Sequence, residues 1–206
     1  MTRRILLVAT LLLLLLPACR EDRKRPDLTA EQEAILKEKA DGKVGLIIRE
    51  NLPALFAGIV VFRSDVFLTQ SEMLSRRNLS VLDSFGNAAI VLLNSPDIPP
   101  LLLEESVRKI FYLCRQGPLA RMHPAFLMEV LKAFGEGKET APASFLVRFR
   151  EVPQEKEEKF VESAGVTVAS RAGFVWAVSG PLTALPRLLE DDRILFYEGA
   201  SKARTM

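Results

Sequence analysis

Apolar and polar side chains alternate along a short stretch in the C-terminal half of the chain. Phe145, Val147 and Phe149 are interleaved with Leu146 and Arg148, and this period of two is typical of a half-buried strand. Helical and strand patterns follow in turn up to the C-terminal region. The predicted elements are a strand at 145–150, a helix from 153 to 164, strands at 166–171 and 174–178, a helix beginning at 183 and a strand at 193–197.

The same order of elements occurs earlier in the chain as an internal repeat. Residues 59–93 match the residues 87 positions later without a gap. The offset then falls to 86 and to 85, which pairs Pro100 with Pro186 and Tyr112 with Tyr197. A period near 86 is too long for a solenoid repeat, so the pattern indicates a duplicated domain.

Each copy is predicted to have the order β-α-β-β-α-β, which is that of a ferredoxin-like domain with both helices on one face of an antiparallel sheet. The fold class is therefore predicted as α+β, with two tandem ferredoxin-like domains after a cleaved signal peptide. The predicted organisation is a signal peptide at 1–18, a flexible tether at 19–28, a helix and a possible extra strand (44–48) within 29–56, copy one at 57–117, a helical connector at 118–143 and copy two at 144–206.

The N-terminal pattern predicts export. Arg3 and Arg4 precede an apolar run at 5–16, which is shorter than the roughly 20 residues that span a membrane. Ala18 and Cys19 follow it, and a small residue before a cysteine resembles the bacterial lipobox. That resemblance implies that Cys19 becomes the acylated (palmitate-bearing) first residue of a lipoprotein. The alternative is an ordinary secretory signal with an incidental cysteine.

Charge and composition exclude several function classes. The chain has 28 Lys+Arg and 26 Asp+Glu. Loss of Arg3 and Arg4 with the signal peptide leaves 26 of each, so no basic surface for nucleic acid is indicated. His123 is the single histidine, and Cys114 lies in an apolar run. Neither a zinc-ligand set nor a nucleophile motif is present in the sequence, which predicts a non-enzyme without metal, cofactor or small-molecule substrate.

Copy two carries a more specific pattern of apolar spacing. The residues that carry it are Gly165, Val166, Val168, Val175, Ala177, Val178, Leu182, Leu185, Leu188, Ile194, Phe196, Tyr197 and Glu198. Over about 144–206 the pattern resembles the propeptide inhibitor family of subtilisin-type proteases. In that family the domain assists folding of the protease and then inhibits it, with the sheet packed on the enzyme.

The resemblance also assigns a role to the C-terminal tail. It implies that Glu198 ends the strand leading to the protease, and that the tail lies product-like in the active-site cleft. Met206 would then occupy the primary pocket and Ala203 the pocket three residues upstream, with Arg204 and Thr205 between them. Strand addition through backbone hydrogen bonds would supply the binding. Fraying of a polar C-terminus is the alternative interpretation.

Two functional hypotheses follow for a lipid-anchored, non-catalytic, protein-binding module. The first is an inhibitor or chaperone of a subtilisin-like serine protease. The second is a structural or scaffold lipoprotein that binds another protein of the cell envelope. Both predict an exported protein held on a bacterial membrane through Cys19. In a cell with two membranes we expect the outer one, because Arg20 replaces the aspartate that marks retention at the inner membrane.

Overall fold

The computed structural model describes residues 26–64, 67–115 and 117–200. It is an α+β protein with two antiparallel four-stranded sheets. The predicted signal peptide, most of the predicted tether and the last six residues lie outside the described residues.

The elements fall into two similar units. Unit one comprises α1 (Ala30–Lys39), α2 (Gly42–Arg49), β1 (Leu55–Phe62), α3 (Phe67–Arg76), β2 (Ser80–Phe85), β3 (Ala88–Asn94), a 3-10 turn (Ser95–Asp97), α4 (Ile98–Leu102) and β4 (Val107–Arg115). Unit two comprises a 3-10 turn (Pro118–Arg121), α5 (Pro124–Glu136), β5 (Pro142–Phe149), α6 (Glu155–Ser163), β6 (Thr167–Ala172), β7 (Val175–Pro181), a 3-10 turn (Leu182–Ala184), α7 (Leu185–Leu189) and β8 (Ile194–Gly199).

The two sheets have equivalent strand orders. Sheet one is β2-β3-β1-β4 and sheet two is β6-β7-β5-β8, and every pair is antiparallel. This topology is compatible with two ferredoxin-like domains. The predicted α+β class is confirmed.

The backbone pairing corrects the predicted alignment of the two copies. Phe62 pairs with Val107 and Phe149 pairs with Ile194, each next to a bulge at the same place, so the offset stays at 87 into the last strand. Tyr197 is consequently equivalent to Ile110, and Tyr112 is not its counterpart. The predicted alignment followed identical residues, whereas the register of a strand is set by its backbone hydrogen bonds and by the position of its bulges.

The possible extra strand at 44–48 is wrong, because these residues lie in α2. Asp41 caps this helix, and one of its carboxylate oxygens accepts a hydrogen bond from the Val44 N–H at 2.7 Å. Val44 and Ile47 are buried one helical turn apart. A short apolar run fits a strand or a buried helix equally well, and here the cap decides.

The segment before each unit's first strand belongs to the repeat. Ala40 forms a parallel bridge with Ile110, and Met122 forms the equivalent bridge with Tyr197. The next residue in each case is the N-cap of a helix, α2 or α5. The helical connector predicted at 118–143 is therefore the counterpart of α2 and forms part of unit two.

A cationic side chain closes the end of the last helix in each unit, α4 or α7. Lys39 Nζ donates to the carbonyl oxygens of Leu102 and Glu104 at 2.9 and 2.8 Å. Arg121 donates to the two equivalent carbonyls after α7 and to the carbonyl of Ile194. Both cations satisfy carbonyl groups that have no partner within the short helix.

The units stack so that the helices of unit two cover sheet one. Alternate residues of β1 divide between two cores: Val60 packs with α3 and α4, whereas Ile59 and Val61 pack with α5. Sheet one thus has helices on both faces, whereas the sequence predicted helices on one face only. The reason is that β1 is apolar at nearly every position, as strands buried on both faces are. Sheet two alternates between buried and exposed residues, and its helices lie on one face.

Candidate functional site

One face of sheet two is not covered by any described element, and we call it the open face. It is formed by alternate residues of the three strands β5, β7 and β8. Its members are Leu146, Arg148, Val175, Ala177, Phe196 and Glu198. The residues that alternate with them in β5 and β7, and Tyr197 in β8, point into the core and are buried, whereas Leu195 is 39% exposed. The open face is therefore the second side of a sheet whose first side is packed.

The equivalent face of sheet one is covered, and the residues differ accordingly. Val61, which is 0% exposed, corresponds to the exposed Arg148, and the buried Phe111 corresponds to Glu198. Positions that are buried and apolar in unit one are thus exposed and charged in unit two, where a charge remains hydrated. The open face has nevertheless kept large apolar side chains, so it is a mixed surface.

One exchange runs in the opposite direction. Lys109 lies at the edge of the covered face, with its ammonium 5.0 Å from the centre of the Phe111 ring. The equivalent residue on the open face is Phe196, which is partly exposed. Its ring meets the edge of the His123 ring at 6.1 Å. An aromatic ring therefore stands on the exposed face where the covered face has a lysine.

The charges of the open face are accessible to a partner. The guanidinium carbon of Arg148 lies 5.4 Å from the centre of the Phe174 ring, which is 43% exposed. Within the part of the chain that the structure describes, neither Arg148 nor Glu198 forms an ion pair. A guanidinium and a carboxylate beside apolar residues can bind a protein surface of complementary charge.

The buried side of sheet two holds the open face in place. The Tyr197 hydroxyl donates to the carbonyl oxygen of Leu188 at 2.6 Å, and burial raises the pKa of this tyrosine. Trp176 is buried and meets the Phe149 ring at 5.0 Å, edge to face. Trp176 and Tyr197 are thus packing residues. A strand fixed in this way presents its exposed side chains with little loss of entropy on binding.

Comparison of the chain with protein-family models, with curated proteins and with solved structures gave no match. In residues 26–64, 67–115 and 117–200 no helix is long and apolar enough to cross a membrane. The same residues contain no group of three or more histidine, cysteine or acidic side chains that could hold a metal ion.

The predicted site residues are only partly within the structure. Glu198 is exposed on the open face, whereas Cys19 and the tail from Ala203 to Met206 (Ala203, Arg204, Thr205 and Met206) lie outside the described residues. His123 is the N-cap of α5, and its Nδ1 accepts a hydrogen bond from the Ala125 N–H at 3.2 Å. Cys114 is completely buried, and burial raises the pKa of its thiol to about 11. Both residues therefore have structural roles.

A second group of polar side chains lies where the two units meet. Lys43 Nζ is 3.8 Å from the centre of the Tyr112 ring and forms an ion pair with Glu190 of unit two. The Tyr112 hydroxyl donates to the same carboxylate at 3.3 Å, and burial, together with this charge, raises the pKa of Tyr112 to about 12. Asp41 accepts hydrogen bonds from the backbone N–H groups of Val44 and Tyr112. Each group has a structural partner, so the cluster joins the units.

Sequence reasoning missed the open face, although a signal for it exists. The strand pattern placed Leu146 and Arg148 together on one side of β5 without saying whether that side is covered. Comparison of the copies at a constant offset of 87 would have revealed Val61 against Arg148. A position that is apolar in one copy and charged in the other indicates burial in the first alone.

Proposed function

We propose that this protein is a membrane-anchored, non-catalytic lipoprotein that binds another protein through the open face of sheet two. The observation that carries the proposal is the difference between the two repeat-equivalent sheet faces. The first is covered by unit two, and the second is exposed and combines apolar side chains with the separate charges of Arg148 and Glu198. Protein-binding surfaces combine apolar and charged side chains in this way.

In the same proposal each unit is a ferredoxin-like domain, and the partner is a subtilisin-like serine protease. The resemblance of copy two to the propeptide inhibitor family supports this partner, because that family packs its sheet on the enzyme. The direction of β8 is compatible with it: the Ala200 N–H still bonds to the Ser144 carbonyl at 3.3 Å, and six residues follow. Acylated Cys19 would hold the other end of the chain at the membrane, the outer one in a cell that has two.

Titration of a subtilisin with the mature chain (residues 19–206) tests the protease partner. We expect inhibition that weakens at least tenfold when Leu146 is changed to Glu, and that is lost when residues 201–206 are deleted. Leu82→Glu is the matched control, because Leu82 is 47% exposed on β2 of unit one. Absence of inhibition by the intact chain would exclude a subtilisin as the partner.

The alternative is a scaffold lipoprotein that uses the open face for a different envelope protein. The continuous core across both units supports it, since a scaffold requires a rigid body. A photo-crosslinking residue at position 146 or 82, introduced into the intact cell, tests this alternative. Crosslinks to a protein from position 146 and none from position 82 are expected. The docking surface would be wrong if the two positions gave the same products.

A further inference from the structure

A second surface of the molecule has an unusual composition, and it lies at the opposite end of the stack from the open face. It is a groove of about 430 Å³ between α1, α2 and α4, which we call the α1–α4 groove. None of its thirteen described lining residues is charged, and ten are apolar. Those used in the argument are Pro26, Leu28, Ile35, Ile48 and Leu103. Leu103 is 66% exposed at its rim.

The repeat makes this composition informative. At the constant offset of 87, Leu103 corresponds to Glu190, the acidic partner of Lys43. Unit two therefore has a charged residue where unit one has an apolar one, although Leu103 of unit one faces solvent. Exposed apolar surface of this kind is a mark of a binding site.

The volume and chemistry of the groove fit one hydrocarbon chain. A dry apolar cavity of about 150 Å³ holds one benzene, so by proportion a cavity of this volume holds roughly 17 carbon atoms. Its polar lining residues are Gln32, Asn51 and Ser95, and no cation is among the described lining residues to pair with a carboxylate. This favours an acyl chain in ester or amide linkage over a free fatty acid.

The chain carries the attachment point for such an acyl group close to the groove. Cys19 precedes Pro26 by seven residues, and Pro26 itself lines the groove. Seven residues span at most about 25 Å when fully extended. An acyl chain attached to Cys19 is therefore within reach of a groove that begins where the described residues begin.

We propose that the α1–α4 groove holds one acyl chain of lipidated Cys19. This inference rests on the lipid anchoring of the proposed function and extends it. A chain held in the groove keeps the helical surface of unit one beside the membrane. The open face, at the far end of the four-layer stack, is then directed away from the membrane and toward a partner.

Alkylation of Cys19 in the mature chain (residues 19–206), made without lipid, tests the proposal directly. Cys114 is completely buried, so a maleimide modifies Cys19 selectively in the folded protein. The neutral fluorescent probe N-phenyl-1-naphthylamine is titrated into chains that carry either an ethyl or a hexadecyl maleimide. We expect one probe to bind per ethyl-modified chain and at least a tenfold loss of affinity in the hexadecyl-modified chain.

Two substitutions in α2 locate the probe. Ile48→Gln places an amide in the groove and should weaken probe binding at least tenfold, whereas Leu46→Gln, on an exposed position outside the groove, should not change it. Circular dichroism shows whether both variants are folded. If Ile48→Gln is unfolded, the comparison of the ethyl-modified and hexadecyl-modified chains alone tests the proposal. Equal probe binding by the ethyl-modified and hexadecyl-modified chains, or no binding by either, would overturn the proposal.

The result can be separated from that of the anchor itself. Mass spectrometry of the membrane-extracted protein shows whether Cys19 is acylated. An unmodified Cys19 refutes the lipid anchor. It also refutes the acyl chain as the natural occupant of the groove, even if the groove binds the probe. An acylated Cys19 together with a groove that the hexadecyl chain does not block refutes the occupant alone.

Discussion

The exchange of Val61 and Arg148 between the two sheet faces gives the sharpest test of the stacking. Val61→Arg introduces into unit one the residue that unit two has at the same position, and Arg148→Val does the reverse. Val61 is 0% exposed and packs in the core that includes α5. Arg148 is exposed, and its described contact is the Phe174 ring.

The expected magnitudes differ widely between the two variants. Removing a buried valine side chain costs about 1.5–3 kcal/mol, and a buried charge without a partner adds about 3–5 kcal/mol. Val61→Arg should therefore lower the free energy of unfolding by at least about 4 kcal/mol, which is a large share of the roughly 5–15 kcal/mol typical of a domain. Arg148→Val loses a cation–π contact worth about 0.5–1 kcal/mol at an exposed site, so its change should stay within about 1 kcal/mol.

Urea unfolding of a chain that comprises residues 19–206 measures both variants. Far-UV circular dichroism follows the whole molecule, and the fluorescence of Trp176, the single tryptophan, follows unit two. The reasoning would be refuted by equal destabilisation in the two variants, because the faces would then be equally buried. A loss below about 1 kcal/mol in Val61→Arg would refute it as well, since the covering by α5 would contribute little.

Three further predictions concern single groups. Arg121→Ala should lower the free energy of unfolding in urea by about 1–3 kcal/mol, because the carbonyls after α7 lose their donors. Arg121→Lys should recover part of this, as unit one uses a lysine there, and equal losses would contradict the role. Burial acts to raise the pKa of Asp191 and Glu157, but hydrogen bonds from backbone N–H groups and the nearby Arg193 hold both pKa values below their ordinary values. The stabilisation that these two carboxylates contribute is present above about pH 4 and is lost as pH falls. In Arg193→Gln the free energy of unfolding should therefore decrease less steeply between about pH 5 and 3, and an unchanged slope would contradict the role of Arg193. Because burial raises the pKa of Cys114 to about 11, its thiol should resist Ellman's reagent at about pH 8 until urea unfolds the chain; rapid reaction in the folded state would contradict its burial.

The order of strands could be predicted from the sequence because local signals agree with one another. Alternation in β5, the paired turns and the repeat all support the same topology, and the left-handed residues fall at equivalent places, as with Asn78 and Gly165. The N-cap of α1 is a local signal of the same kind, since the Gln32 N–H donates to the Thr29 hydroxyl at 3.2 Å. Caps and turns act over a few residues, so a single sequence contains them in full.

The packing between the units could not be predicted in the same way. The apolar run of β1 indicates burial on both faces, yet it does not say which element provides the cover. The contact of α5 with sheet one includes Asn87 and Arg108, which donate to the carbonyls at the end of that helix. Neither side chain differs from an ordinary polar surface residue until the fold brings it to the helix end. The open face could not be predicted for the same reason, since it differs from the equivalent face of sheet one only in having no helices packed on it.

The composition of the open face argues for binding rather than for solubility alone. A terminal unit of a stack needs a polar outer face to remain soluble, and the exchange of Val61 for Arg148 satisfies that need. The exchange of Lys109 for Phe196 acts against it, because an aromatic ring occupies the exposed position and the lysine the covered one. Aromatic residues are enriched at protein interfaces, where lysine is depleted. Phe196→Lys therefore separates the two explanations: it should leave solubility and unfolding unchanged and weaken partner binding at least tenfold. Unchanged binding would leave solubility as the sole reason for the polar substitutions.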